Sequence, residues 1–245
     1  MPTDPRHLHW DACLNVRDLG GFPTRDRRTT RRHAVIRADN LCRLTRHGRL
    51  ALVRYGVRTA IDLRDVKEHP LEHDPFSREE LAEVERVEIP QLTPEFWRAW
   101  QGTMTGHEGD LLTLETCGET IATMFAAIAA APEGGIVVYC HAGKERTGIA
   151  AALLLDLVGV DRTIIAQEHT RSDEYLAALY AAWIDAQPAP EKQQRLRHAL
   201  RPQPEQMLLT LSALDELYGG IEQYLLDSGL EQADIDTVRG RLVGT

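Results

Sequence analysis

VVYCHAGKERTGIA, residues 137–150, runs from an apolar strand through a short polar loop into an apolar helix. The strand, Ile136 to Tyr139, follows the turn signal PEGG and is apolar at successive positions, as expected of a strand covered on both faces near the centre of a sheet. The helix, Thr147 to Val158 (TGIAAALLLDLV), is apolar almost all round and stops at Gly159. It is too short to span a membrane and reads as a buried core helix.

Between them, Cys140 is followed by five residues and then Arg146. The backbone N–H groups of His141, Ala142, Gly143, Lys144, Glu145 and Arg146 can point inward around an anion, and the helix N-terminus adds its positive dipole. Gly143 and Gly148 permit the curvature and close packing. Arg146 can bridge two oxygens of a phosphoryl group in a planar fork that lysine cannot reproduce. Free thiols titrate at about 8.5, and helix N-termini and neighbouring cations lower that value, so this field favours Cys140 as a thiolate nucleophile. The Thr147 hydroxyl is placed either to donate to the sulfur as it leaves phosphorus or simply to start the helix. A lone cysteine is more often a small buried hydrophobe. Here glycine, lysine, arginine, threonine and glycine follow at the positions an anion loop needs, which favours the chemical reading. The nucleotide-binding loop G-x-x-x-x-G-K-[ST] fits poorly, because Gly143-Lys144 lacks both the earlier glycine and the following hydroxyl.

Outward from this segment the chain alternates short apolar runs with helical patterns, which predicts an α/β fold with a central, mostly parallel sheet flanked by helices. Ala34 to Ile36, Thr59 to Leu63 and Val84 to Ile89 read as further strands. Glu119 to Ala131 reads as a helix stopped by Pro132, followed beyond the loop helix by Arg162 to Thr170, Asp173 to Ala186, Pro204 to Ser228 with a Gly219-Gly220 interruption, and Gln232 to Leu242. In that reading Ser172 caps the helix that Asp173 begins. Residues 91–118, with Phe96, Trp97, Trp100 and several glycines, hold no clear strand and read as a helical insertion in a single domain spanning 1–245.

Composition sets limits on function. A chain of 245 residues with 43% hydrophobic and 27% charged content is an ordinary globular sequence, and its formal charge of -9 speaks against nucleic-acid binding. Basic residues are still clustered locally, with arginines at 25, 27, 28, 31, 32 and 37, and these would attract anions if they lay near the cleft. Cys13, Cys42, Cys117 and Cys140 form no C-x-x-C pair, and the ten histidines show no H-E-x-x-H spacing, so the expected chemistry needs no metal or other cofactor. No segment has the apolar length of a signal peptide or membrane span, which predicts a cytoplasmic protein.

CHAGKERTG (140–148), NVRDLGG (15–21), GVRTAIDLR (56–64), GVDRTIIAQEHTRSDEYL (159–176) and YGGIEQYL (218–225) together resemble the bacterial atypical protein tyrosine and lipid phosphatases, in the family's order and over most of the chain. The resemblance implies a cysteine phosphatase-like fold with a helical lid, and metal-free hydrolysis of phosphotyrosine, commonly also of phosphoserine or phosphothreonine and phosphoinositides. Lys144 matches the loop lysine associated with phosphoinositide acceptance, which implies phosphorylated proteins or phosphoinositides as partners. Asp62 matches the aspartate given the general-acid role, and its place at the carboxyl end of a predicted parallel strand agrees; Asp65 and Glu145 are the alternates. A bland alternative pairs Asp62 with Arg64 or Arg58. Two positions depart from the family, which has histidine where Tyr139 stands and aspartate where Glu145 stands. A rhodanese-like sulfurtransferase or a catalytically silent phosphate-binding module remain the competing readings of one cysteine in an anion loop.

Overall fold

The computed structural model describes residues 4–69, 74–102, 104, 106–200 and 203–244, the side chains of 198 and 199 excepted. Among the described residues five strands, β1 (Arg17–Asp18), β2 (Val35–Ala38), β3 (Val57–Asp62), β4 (Glu85–Glu88) and β5 (Gly135–Tyr139), form one sheet in the order β1-β2-β5-β3-β4. Only β1 pairs antiparallel; β2, β5, β3 and β4 are mutually parallel, with β5 inside and fully buried. The apolar run IVVY thus occupies the central position that its composition predicts, because both of its faces must be covered.

The helices are α1 (Arg46–Arg54), α2 (Pro94–Ala99), α3 (Gly106–Thr116), α4 (Gly118–Ala130), α5 (Arg146–Leu157), α6 (Arg162–Asp185), α7 (Pro190–Ala199), α8 (Pro204–Tyr218), α9 (Ile221–Asp227) and α10 (Gln232–Val243). Side chains alternate across the sheet. Val35, Ile61, Ile136, Val138 and Cys140 pack with residues of α4, α5, α8, α9 and α10 on one face. Ile36, Ala38, Ala60, Val137 and Tyr139 pack with Trp10, Val16, Leu41 and Leu52 on the other. On the first face α5 lies against the sheet, under α6 and α9, and is buried almost throughout. Among the described residues no single helix is long and apolar enough to cross a membrane.

Some elements differ from the sequence reading. The predicted helices Arg162 to Thr170 and Asp173 to Ala186 are one continuous helix, α6. Ser172 and Asp173 lie inside it, because buried partners elsewhere in the chain engage the side chains that would otherwise cap a helix start. The helix α7 was not predicted, since PEKQQRLRHA has no apolar stripe to reveal it. Residues 91–118, which the sequence reading also makes helical, hold α2, α3 and the first residue of α4; 103 and 105 lie outside the described residues. At Gly219 and Gly220, with φ of 79° and 109°, the N–H groups close onto the carbonyls of Asp215 and Leu214 and end α8.

Candidate active site

Parallel register sets the carboxyl ends of β2, β5 and β3 side by side, with Tyr139 between Ala38 and Asp62. Cys140 follows directly, only 2% exposed, at the middle of the sheet's carboxyl edge. Gly143 turns the loop with φ of 65°, and a Cβ there would stand 2.5 Å from the Ala38 carbonyl oxygen, so no other residue fits. The Gly143 N–H donates to Cys140 Sγ at 3.2 Å, while the Ala142 and Gly143 carbonyls turn the other way and accept from Asn15 Nδ2, each at 3.0 Å. With the Gly143 amide toward the sulfur and two carbonyls turned away, the loop has the form of an anion cradle.

Arg146 opens α5 and lies across the cleft. Its Nη1 donates to Glu68 Oε2 at 2.6 Å and its Nη2 to Glu68 Oε1 at 2.9 Å, and Nη1 also reaches the Leu63 carbonyl at 3.2 Å. Burial opposes ionisation of Glu68, but Arg146 outweighs it and holds the carboxyl below its ordinary range. Arg146, Glu68, Asp65, Lys67, Leu92 and Trp97 line a cavity of about 430 Å³. The sequence reading missed Glu68, although Asp65-Val-Lys-Glu68 carries a capping-box signature that the structure realises, with Asp65 accepting from the Lys67 N–H and Glu68 from the Asp65 N–H.

Asp62, the first-choice proton donor, has a different occupation. It is fully buried and accepts from Arg64 at 2.9 and 2.8 Å, from Arg86 at 2.7 Å and from the Tyr139 hydroxyl at 2.8 Å. Burial would push its carboxyl up, but these donors win and hold it at about 2. A carboxylate so held carries no proton at neutral pH. Register explains the placement: Asp62 pairs with Tyr139 and shares its face of the sheet, whereas Cys140, one residue on, belongs to the other face. Tyr139, which departs from the family pattern, is therefore a partner of Asp62. The Asp62–Arg64 pairing was the bland alternative read from sequence.

Lys144 is 7% exposed and pairs with Asp173 of α6 at 2.7 Å, with its ammonium 5.7 Å from the Tyr180 ring centroid. Tyr180 of α6, invisible to motif reading, lies within electrostatic reach of Glu145, Asp173 and Cys140. His141 and Glu145 are the exposed residues of the loop. The Thr147 hydroxyl is buried with no hydrogen-bond partner among the described residues, a donor left open inside the site. Of the clustered arginines only Arg37 reaches the loop. Arg31 and Arg32 line a separate cavity of about 720 Å³ with His33, Gly134, Gly135 and Arg241 at the amino ends of β2 and β5, the opposite edge of the sheet.

Asp110 of α3 accepts from Thr210 of α8 at 3.2 Å and lies within the field of Glu145; burial, then Glu145, push its carboxyl up to about 7. Its folded value lies above the unfolded 3.8, so the unfolded state releases this proton first. The folded state is then penalised as pH rises from about 4, fully so above 7. Asp110→Asn should raise the melting temperature by a few degrees at pH 8 and leave it unchanged at pH 4; equal melting curves at pH 8 would remove this strain. Among the described residues no group of three or more His, Cys, Asp or Glu is placed to hold a metal ion.

Comparison with known proteins accords with this geometry. Residues 8–244 match the tyrosine phosphatase family. A tyrosine-protein phosphatase of Nostoc commune is 30% identical over 226 residues, covering 85% of this chain and 74% of the relative. The triple specificity protein phosphatase PtpB of Mycobacterium tuberculosis is 33% identical over 121 residues, 44% of each chain.

Proposed function

The chain belongs to the tyrosine phosphatase family, and from that premise we propose that it hydrolyses phosphotyrosine, and also phosphoserine, phosphothreonine and phosphoinositides, through a phosphocysteine intermediate. The observation that carries the reading is the Gly143 N–H aimed at Cys140 Sγ, 3.2 Å away, in the loop that ends in the Arg146 guanidinium. Cys140 attacks as the thiolate, forming the S–P bond as the P–O bond to the leaving group breaks. Arg146, released from Glu68, and the loop amides bind the equatorial oxygens as charge develops there. Water then attacks the phosphocysteine, and inorganic phosphate and the thiolate are regenerated.

The leaving oxygen needs a proton, and Asp65 is the carboxyl we assign to it. It lines the same cavity as Arg146 and is half-buried, whereas Asp62 is locked on the other face of the sheet. The Asp65→Asn change should lower kcat by about 10²-fold on an alkyl phosphate, whose alkoxide cannot leave unprotonated, and much less on para-nitrophenyl phosphate. Equal losses on both would move the role to another group, Glu145 first.

Lys144 supports the lipid arm, because freed from Asp173 its ammonium can meet a second phosphate beside the one on Arg146. In that arrangement α2 and α3 act as the lid. Comparing kcat/KM over phosphotyrosine, phosphoserine and phosphoinositide substrates tests the whole reading. Vanadate-sensitive turnover is expected on each, and thiosulfate-dependent thiocyanate formation without phosphate release would instead favour a sulfurtransferase.

A further inference from the structure

Two segments that the chemistry leaves unused, NVRDLGG and the EHTRS of α6, meet behind the loop. Glu168 accepts from Arg17 Nε at 2.6 Å and from Arg37 Nη1 at 2.6 Å. Both arginines also donate to Ser172 Oγ, at 3.0 and 3.2 Å. Arg37 Nη2 continues to the Gly143 carbonyl at 2.5 Å, and Arg17 donates to Asn15 Oδ1, whose Nδ2 holds the Ala142 and Gly143 carbonyls. The contacts close a ring that begins and ends on the loop, and each of its side chains is less than 5% exposed.

Such a ring is an expensive way to fasten a loop, since an apolar contact would hold it without burying three charges. What the ions supply is orientation and charge. Every donor aimed at the loop engages a carbonyl, and a carbonyl so engaged cannot turn toward a phosphate. Within the ring itself two guanidinium groups stand against one carboxylate, an excess of one positive charge, while the neighbouring Asp39 carboxylate is held by the Leu14 and Asn15 N–H groups. The other cations at the site are already paired, Arg146 with Glu68 and Lys144 with Asp173. Arg37 lies within the electrostatic reach of Cys140. His169, packed against Gly148, adds no charge, since burial, then Arg37, hold its imidazole at about 3.

We propose that Asn15, Arg17, Arg37 and Glu168 are positioning residues for the phosphoryl site: the ring keeps the loop carbonyls out of the cradle, and its surplus charge attracts the phosphate dianion. The inference rests on Cys140 to Arg146 being a phosphate site. Its test reads binding without turnover, by titrating inorganic phosphate calorimetrically into the full chain. Arg37→Met, which removes the charge and one carbonyl tie, should weaken phosphate binding by about 10²-fold, and Arg37→Lys, which restores the charge without the fork, should recover part of that loss. Asn15→Ala changes no charge and should weaken it by about 10-fold.

Circular dichroism and melting curves establish that each variant is folded. A folded Arg37→Met or Asn15→Ala protein with wild-type phosphate affinity would overturn the proposal; should Arg37→Met not fold, Asn15→Ala decides. An unaltered chain that binds phosphate but turns over no phosphomonoester would fault the proposed function and leave the ring intact.

Discussion

Cys140→Ser is expected to lower turnover of para-nitrophenyl phosphate by about 10⁴-fold or more while leaving the fold intact. A serine hydroxyl stays protonated at neutral pH, so the amide of Gly143 would face a neutral, poor nucleophile. Volume changes little at this 2% exposed position, so the melting temperature should stay close to that of the unaltered protein. Steady-state rates with and without vanadate make the check, together with a search for a phosphorylated Cys140 peptide after rapid acid quenching. Activity within about 10-fold of the unaltered protein would remove Cys140 from the mechanism.

Arg146→Lys should cost about 10² to 10³-fold in kcat/KM, with most of the loss in kcat. Arginine presents two parallel N–H groups, which in the structure grip both oxygens of Glu68 at 2.6 and 2.9 Å. The same fork suits two equatorial oxygens of a phosphoryl group, more so as charge builds on them in the transition state. A lysine ammonium keeps the charge but makes a point contact, so ground-state binding survives better than catalysis. The checks are kcat and KM measured separately on a phosphotyrosine peptide. A rise in KM with kcat unchanged would mean that Arg146 only collects substrate.

How much of the site was legible follows from how local each feature is. Cys140, Gly143 and Arg146 lie within one strand-loop-helix, and the spacing alone implied the geometry that the Gly143 N–H and the Arg146 fork display. Glu68 was readable in principle through its capping box, yet nothing local says that its carboxylate faces Arg146 across 78 positions of sequence. The pairing of Asp62 with Arg64 was readable as an alternative, but its face of the sheet was not, because an aspartate at the end of a strand looks the same whichever face it occupies.

The amino-acid sequence by itself determined the α/β class, the central place of IVVY, the buried loop helix and the tight loop between them, because each rests on apolar pattern or on contacts between near neighbours. Tertiary structure decided the rest. Register along β3 and β5 turned Asp62 toward Tyr139 and away from Cys140. The meeting of α6 with the loop made Asp173, which the pattern RSDE had suggested only as a helix start, the partner of Lys144, and made Glu168 the bridge between two buried arginines. Side-chain pairing across more than 100 positions depends on how the layers pack, and short-range periodicity carries no record of that.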